Sequence, residues 1–187
     1  MNTITMDRMG DLVLELGDQR LLVSSTILTL VSPVFEAMFK PTFKEGIGAA
    51  SSIAPYAIPL PEDDPEAFIL FCRVIHHRTN EVQLHLSPFC LENLAFICDK
   101  YQCKSVLAPM GVLWLQRLFK NATQEDLHRL LLFAYVLDLA EPFWLLSGKA
   151  LSLQVGDFID LPVLSGHYLI NHNLLRKRPL LSFYLHF

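Results

Sequence analysis

The stretch DLVLELGDQRLLVSSTILTLVSPVFEAMF, residues 11–39, decides the fold. Its first six residues, DLVLEL, alternate apolar and polar positions, the period-2 pattern of a half-buried strand. Gly17-Asp18 supplies a tight turn, and residues 20–23, RLLV, read as the return strand of a hairpin. Ser24-Ser25 then offers a side-chain oxygen to cap a helix over residues 26–31. Ser32-Pro33 restarts the chain at once. Ser32 can accept a bond from an orphan amide, and Pro33 fits the first helical position, where its missing N–H had no partner anyway. Phe35, Met38 and Phe39 line one face of this second short helix.

Working outward, Pro41 ends that helix. Residues 44–55 hold Gly46, Gly48, Ala49, Ala50, Ser51 and Ser52 and read as a flexible loop. Residues 56–60, YAIPL, read as an edge strand, because Pro59 cannot donate to a ladder. Asp63-Asp64-Pro65-Glu66 opens the next helix, where acids suit the positive helix start, and residues 68–75 are apolar nearly all round, so that helix should be buried. Residues 82–86 alternate as a short strand. Ser87-Pro88 caps a further helix with Leu91, Leu94, Ala95 and Cys98 on one face, and residues 103–118 continue as another, broken at Asn121. Thr123-Gln124-Glu125-Asp126 resembles a capping box, with Leu127, Leu130, Leu131 and Ala134 at helical spacing behind it. Pro142 opens the second helix of this pair, running to about residue 153. Residues 155–187 hold Gly156, Pro162, Gly166 and Pro179 and show no clear period. Their apolar ending, LLSFYLHF, predicts docking on the body or on a partner. No internal repeat or low-complexity tract is seen.

Composition narrows the function classes. Of 187 residues, 52% are apolar and 18% charged, against about 45–50% and about 25% in average usage. Disorder is excluded as the main state, and a chain of this length holds a core without disulfide or metal. The apolar surplus points to a partner or a membrane. No stretch supplies the roughly 20 apolar residues of a membrane span: residues 130–140 carry Asp138, and residues 143–153 carry Lys149. The first residues, MNTITMDRMGD, have no apolar run to act as a signal peptide. The expectation is an intracellular protein, cytoplasmic, nuclear or both, with no membrane contact. Net charge is −4, without the basic stripe of a nucleic-acid binder. Arg176-Lys177-Arg178 reads as a solvated turn, with a weak nuclear-import patch as the alternative. Cys72, Cys90, Cys98 and Cys103 form no CxxC pair and sit in apolar patterns, as reduced core residues do.

No catalytic signature stands in the sequence: no GxSxG, phosphate loop, GxGxxG or HExxH. His76-His77 cannot easily share a metal, because neighbours on a helix point about 100° apart, and a histidine at a helix C-terminus complements the dipole. Glu62-Asp63-Asp64 reads as a capped helix start rather than a cation site. A Cys–His nucleophile built on Cys98 or Cys103, as in a cysteine hydrolase, is weaker than packing on a helix face. Asn121-Ala122-Thr123 matches a glycosylation site but reads as a helix start. No enzyme, cofactor or metal site is expected.

The order of these elements resembles the BTB/POZ domain. Asp11-Leu12-Val13-Leu14 is similar to the family's opening strand. Leu22-Val23-Ser24-Ser25-Thr26-Ile27-Leu28, followed by Ser32-Pro33-Val34-Phe35 and Met38-Phe39, is similar to its strand-to-helix signature. Ile58-Pro59-Leu60 through Asp64-Pro65-Glu66-Ala67-Phe68 looks like its third strand and next helix start, and Leu94-Ala95 with Asp99-Lys100-Tyr101 like its late helix. The wording is closest to the fungal branch. Many members carry His-Lys where this chain has Ser24-Ser25; the serines can still cap a helix but supply no basic pair for a partner contact. The resemblance implies an α+β fold: a small three-stranded sheet flanked by a cluster of helices, with a C-terminal helical extension. The expected layout is a flank over 1–10, the BTB/POZ domain over 11–119, a helical hairpin over 120–154 and a tail over 155–187.

What the resemblance implies for function is protein–protein interaction without catalysis. Members commonly form homodimers through the first helix and N-terminal segment, which here would engage Thr26, Ile27, Leu30 and Val31. Others are substrate adaptors of cullin-3 ubiquitin ligases and carry an apolar-any-Glu motif after the second short helix. Phe43-Lys44-Glu45 has that form and place: Phe43 would fill an apolar pocket, and Glu45 would add a polar contact. The opposing reading tucks Phe43 onto its own core. The hairpin over 123–153 either extends a cullin surface or covers the core. No substrate-recruiting domain is recognisable, so an adaptor of this kind would recruit its client protein through residues 155–187 or through the BTB surface itself. The alternative function is a transcription-linked scaffold binding corepressor-like partners.

Overall fold

The reversal at Gly17 sets the sheet. The computed structural model describes residues 3–52, 54–82 and 86–153. In it Gly17 has φ +60°, the left-handed region that glycine enters without a steric cost. The turn joins β2 (Leu12–Leu16) to β3 (Gln19–Val23) as an antiparallel pair, with Leu14 opposite Leu21. The alternation read from DLVLEL is the burial pattern observed: Leu12, Leu14 and Leu16 are fully buried. β4 (Tyr56–Pro59) lies parallel to β2 at the sheet edge, where Pro59 was expected.

The sheet has four strands, not three. β1 (Thr3–Thr5) pairs parallel with β3, giving the order β1-β3-β2-β4. Three residues are too short for a periodic signal, so the residues expected as a mere flank contribute an edge strand. The expected strand over 82–86 lies mostly outside the described residues. A 3-10 turn over Thr79–Glu81 precedes it.

The helices follow the caps. They are α1 (Ser25–Val31), α2 (Pro33–Met38), α3 (Lys44–Ser51), α4 (Pro65–Ile75), α5 (Pro88–Lys100), α6 (Lys104–Phe119), α7 (Gln124–Val136) and α8 (Ala140–Leu153). Ser24, Ser32, Asp64, Ser87 and Thr123 each accept a bond from a first-turn amide. The capping box at Thr123 is completed by Asp126, and it occupies the hydroxyl of the glycosylation-like triplet. α8 begins two residues before Pro142. Proline is tolerated there because the first amides of a helix have no intrahelical partner.

The main correction concerns α3. The loop read over 44–55 is largely helix. Its glycines are packing residues: a Cβ on Gly46 would stand 2.2 Å from the Lys40 carbonyl oxygen, and one on Gly48 would stand 2.2 Å from the Tyr56 ring.

A continuous core runs from Met6 to Ala150. At its centre Phe35 stacks on Tyr101 at 4.3 Å, and Phe68 meets Tyr101 edge-on at 5.7 Å, joining α2, α4 and α5. The hairpin α7–α8 adds to this core. Leu127, Leu130 and Phe133 are fully buried, and Phe133 lies 6.4 Å from Trp114 of α6. Residues 154–187, including the tail and Arg176-Lys177-Arg178, lie outside the described residues.

Candidate interaction surfaces

α1 presents the first surface. Its start is fixed three times over. Ser24 Oγ accepts from the Ile27 amide at 3.4 Å. Ser25 donates its amide and hydroxyl to the Asp11 carboxylate at 2.7 and 2.5 Å. The Ser24 amide donates to His76 Nε2 at 3.2 Å. Leu28 is buried beneath the helix, and Ile27 and Val31 are half-buried against the core. Thr26 and Leu30, one turn apart, face outward, and Leu30 is 83% exposed. The four residues expected at a dimer interface thus form an outer ridge and its two flanks. Where the family commonly carries His-Lys, Ser25 here holds Asp11 internally.

His76 stands at the C-cap of α4, the helix end expected of it, and complements that end through a hydrogen bond. In the structure its Nδ1–H donates to the Cys72 carbonyl at 2.9 Å, and Nε2 accepts from Ser24. Burial, the largest influence, pushes its pKa below the usual histidine value, although the Cys72 carbonyl and Asp7 act the other way. The ring is therefore neutral, with both nitrogens engaged and no lone pair left for a metal. His77 is exposed, at φ +57°.

The second surface is the start of α3. Phe43 occupies the N-cap position, and Lys44 and Glu45 are the first two helical residues. Phe43 is 51% exposed, so about half of its surface is open to a partner. Lys44 is exposed, and Glu45 is half-buried at the positive helix end, which favours an acid. Ile47, exposed one turn beyond Phe43, extends the apolar strip. A reading of this segment as a loop had no reason to select Ile47; helical spacing from Phe43 would have found it.

The third surface belongs to α8. Trp144, 60% exposed, and Leu151 stand two turns apart, with Gly148 between them leaving open space. Of the two roles weighed for the hairpin, α7 fulfils core cover and α8 leaves an apolar outer stripe.

Polar chemistry inside the fold is structural. Asp63 is buried and receives Lys100 Nζ at 3.0 Å and the Tyr101 hydroxyl at 2.7 Å. Asp64, its neighbour, is the helix cap, 2.9 Å from the Ala67 amide. Ser32 donates to the Tyr101 carbonyl at 2.6 Å while capping α2. All four cysteines are buried and free. Burial pushes the Cys90 thiol up to about 12 and raises that of Cys72 further. A hydrogen bond with Cys103, then burial, raises Cys98. A thiolate nucleophile is thus disfavoured at these three positions.

The fold is a small mixed sheet wrapped by capped helices, with apolar side chains exposed on α1, α3 and α8. A family model of the BTB/POZ domain matches residues 4–112, more than half of the chain, and the chain belongs to the BTB/POZ domain family. The match begins within β1 and ends within α6; α7 and α8 lie beyond it. Members are protein–protein interaction modules. No curated protein matches the chain.

Proposed function

We propose that this chain is a self-associating BTB adaptor without catalytic activity. The observation that carries self-association is Leu30. A leucine 83% exposed on a firmly anchored helix, flanked by half-buried Ile27 and Val31, offers a pre-ordered apolar ridge. Burying it against a second copy loses little conformational freedom. The symmetric pairing of such a ridge is self-complementary, as a two-fold interface requires.

The Phe43–Ile47 strip is the proposed seat of a second protein, the N-terminal domain of cullin-3. Its support is the half-exposed Phe43 ring beside Glu45 at a helix start. An aromatic anchor of this kind contributes about 2 kcal/mol or more when it fills a partner's pocket. Light scattering at low micromolar concentration tests the first part: a dimer is expected, and Leu30→Glu should yield a folded monomer. A wild-type monomer would reject self-association. Calorimetry with the cullin-3 N-terminal domain tests the second. Binding should weaken at least about thirtyfold in Phe43→Ala, and wild-type binding that is absent or insensitive to this change would reject the assignment.

A further inference from the structure

The hydrogen bond between His76 and Ser24 ties a titratable ring to the start of α1. Only one protonation state fits both of its partners. The Cys72 carbonyl can only accept, so Nδ1 carries the proton. The Ser24 amide can only donate, so Nε2 must present its lone pair. Adding a proton to Nε2 sets two N–H donors against each other across 3.2 Å. The ring cannot rotate away without giving up Cys72. Ser24 is also the N-cap of α1, so a displaced Ser24 amide disturbs the Ser24 Oγ bond to Ile27.

We propose that His76 is a proton-sensitive latch on α1, releasing the start of that helix when Nε2 takes up a proton and thereby weakening self-association. The second half rests on the dimer reading of α1 given above.

The surroundings set the direction. Asp7, after β1, favours the charged ring, whereas Arg78 and His77, after α4, oppose it. Arg78 is itself held by the Met6 carbonyl at 2.8 Å and by Glu81. Asp11 faces Ser25 and accepts two bonds there. α1, STILTLV, carries no ionisable side chain. Burial is the largest influence and disfavours the charged ring. The folded state therefore binds this proton less readily than the unfolded state. The latch is fully closed above the unfolded-state value of about 6.5, and its contribution is lost as pH falls from there through the lower folded-state value.

The test is amide hydrogen exchange over residues 24–31 of the full chain between pH 7.5 and 5.5, corrected for the intrinsic pH dependence of exchange. Local exchange is the right readout, because burial lowers the pKa of His128 on α7 as well and adds a global contribution. Protection of α1 relative to α6, which carries no histidine, should fall with acid by up to about tenfold per pH unit, the limit for one proton, and stay flat in His76→Gln. A flat wild type, or an equal fall in His76→Gln, overturns the latch. Sedimentation across the same range reads its consequence: the wild-type dimer should weaken with acid, and that of His76→Gln should not. A dimer indifferent to pH overturns the coupling. A wild type that is monomeric throughout rejects the dimer reading alone, since exchange still decides the latch. Should His76→Gln not fold, NMR of the wild type decides: the Ser24 amide must titrate together with the His76 ring, and a Ser24 amide that does not move overturns the proposal.

Discussion

Asp63 and Asp64 are adjacent and do unrelated work. Asp64 caps α4; Asp63 turns inward and meets donors 37 and 38 residues away. A buried carboxylate is tolerated when it is paired and hydrogen-bonded. Lys100 supplies the charge from a partly exposed position, and the Tyr101 hydroxyl supplies the buried bond. Tyr101→Phe keeps the stacking on Phe35 and removes only the hydroxyl. It should destabilise the fold by about 1.5–3 kcal/mol, the range for a bond to a charged group, read as a lower urea midpoint with an unchanged m-value. Caps of this kind were legible because a cap and its amide lie three residues apart. The inward acid was not, because its partners are remote in sequence. His76 fails to be legible for the same reason: the Ser24 amide stands 52 residues away.

Glycine shows how an element can be misread from its composition. Gly46 and Gly48 mark a loop by residue type, yet α3 uses both to approach the chain around Lys40 and the Tyr56 ring. The Phe43-Lys44-Glu45 motif was legible, but not its setting at a helix start or its continuation to Ile47. Gly111 and Gly148 separate the same two effects quantitatively. In a helix interior, glycine is about 0.5–1 kcal/mol worse than alanine. Around Gly148 of α8 nothing lies within 4 Å of an added Cβ, so Gly148→Ala should stabilise by about that amount. At Gly111 of α6 the added Cβ would meet side-chain atoms of Leu137, Phe133 and Leu139 at 3.1–3.2 Å. Overpacking of about 1–3 kcal/mol opposes the propensity gain, so Gly111→Ala should lower the melting temperature where Gly148→Ala raises it. Equal shifts would show that the α6 approach to α7 relaxes freely.

At the scale of the molecule, the apolar surplus divides between inside and outside. Much of it fills a core that continues past the family match into α7 and α8. Among the described residues, exposed apolar side chains stand on α1, the start of α3 and the outer face of α8, with Met9, Phe89 and Leu113 elsewhere. The continuity of the core makes a prediction about folding. α7 buries Leu127, Leu130, Leu131, Leu132 and Phe133, each about 1.5–3 kcal/mol of transfer free energy. Their sum is on the order of 10 kcal/mol, comparable with the total stability of about 5–15 kcal/mol expected of a domain. Removing residues 123–187 would bare the facing surfaces of α5 and α6, including Trp114, and take Arg129 from the buried Glu92. The shortened chain should therefore lose its cooperative urea transition and bind a hydrophobic dye, as a loosely packed state does. The full chain should unfold in one transition, with near-ultraviolet and far-ultraviolet signals coincident. A shortened chain that keeps a sharp transition would instead make α7 and α8 an appended layer, and the outer stripe of Trp144 and Leu151 would then have to be explained without reference to the stability of the BTB core.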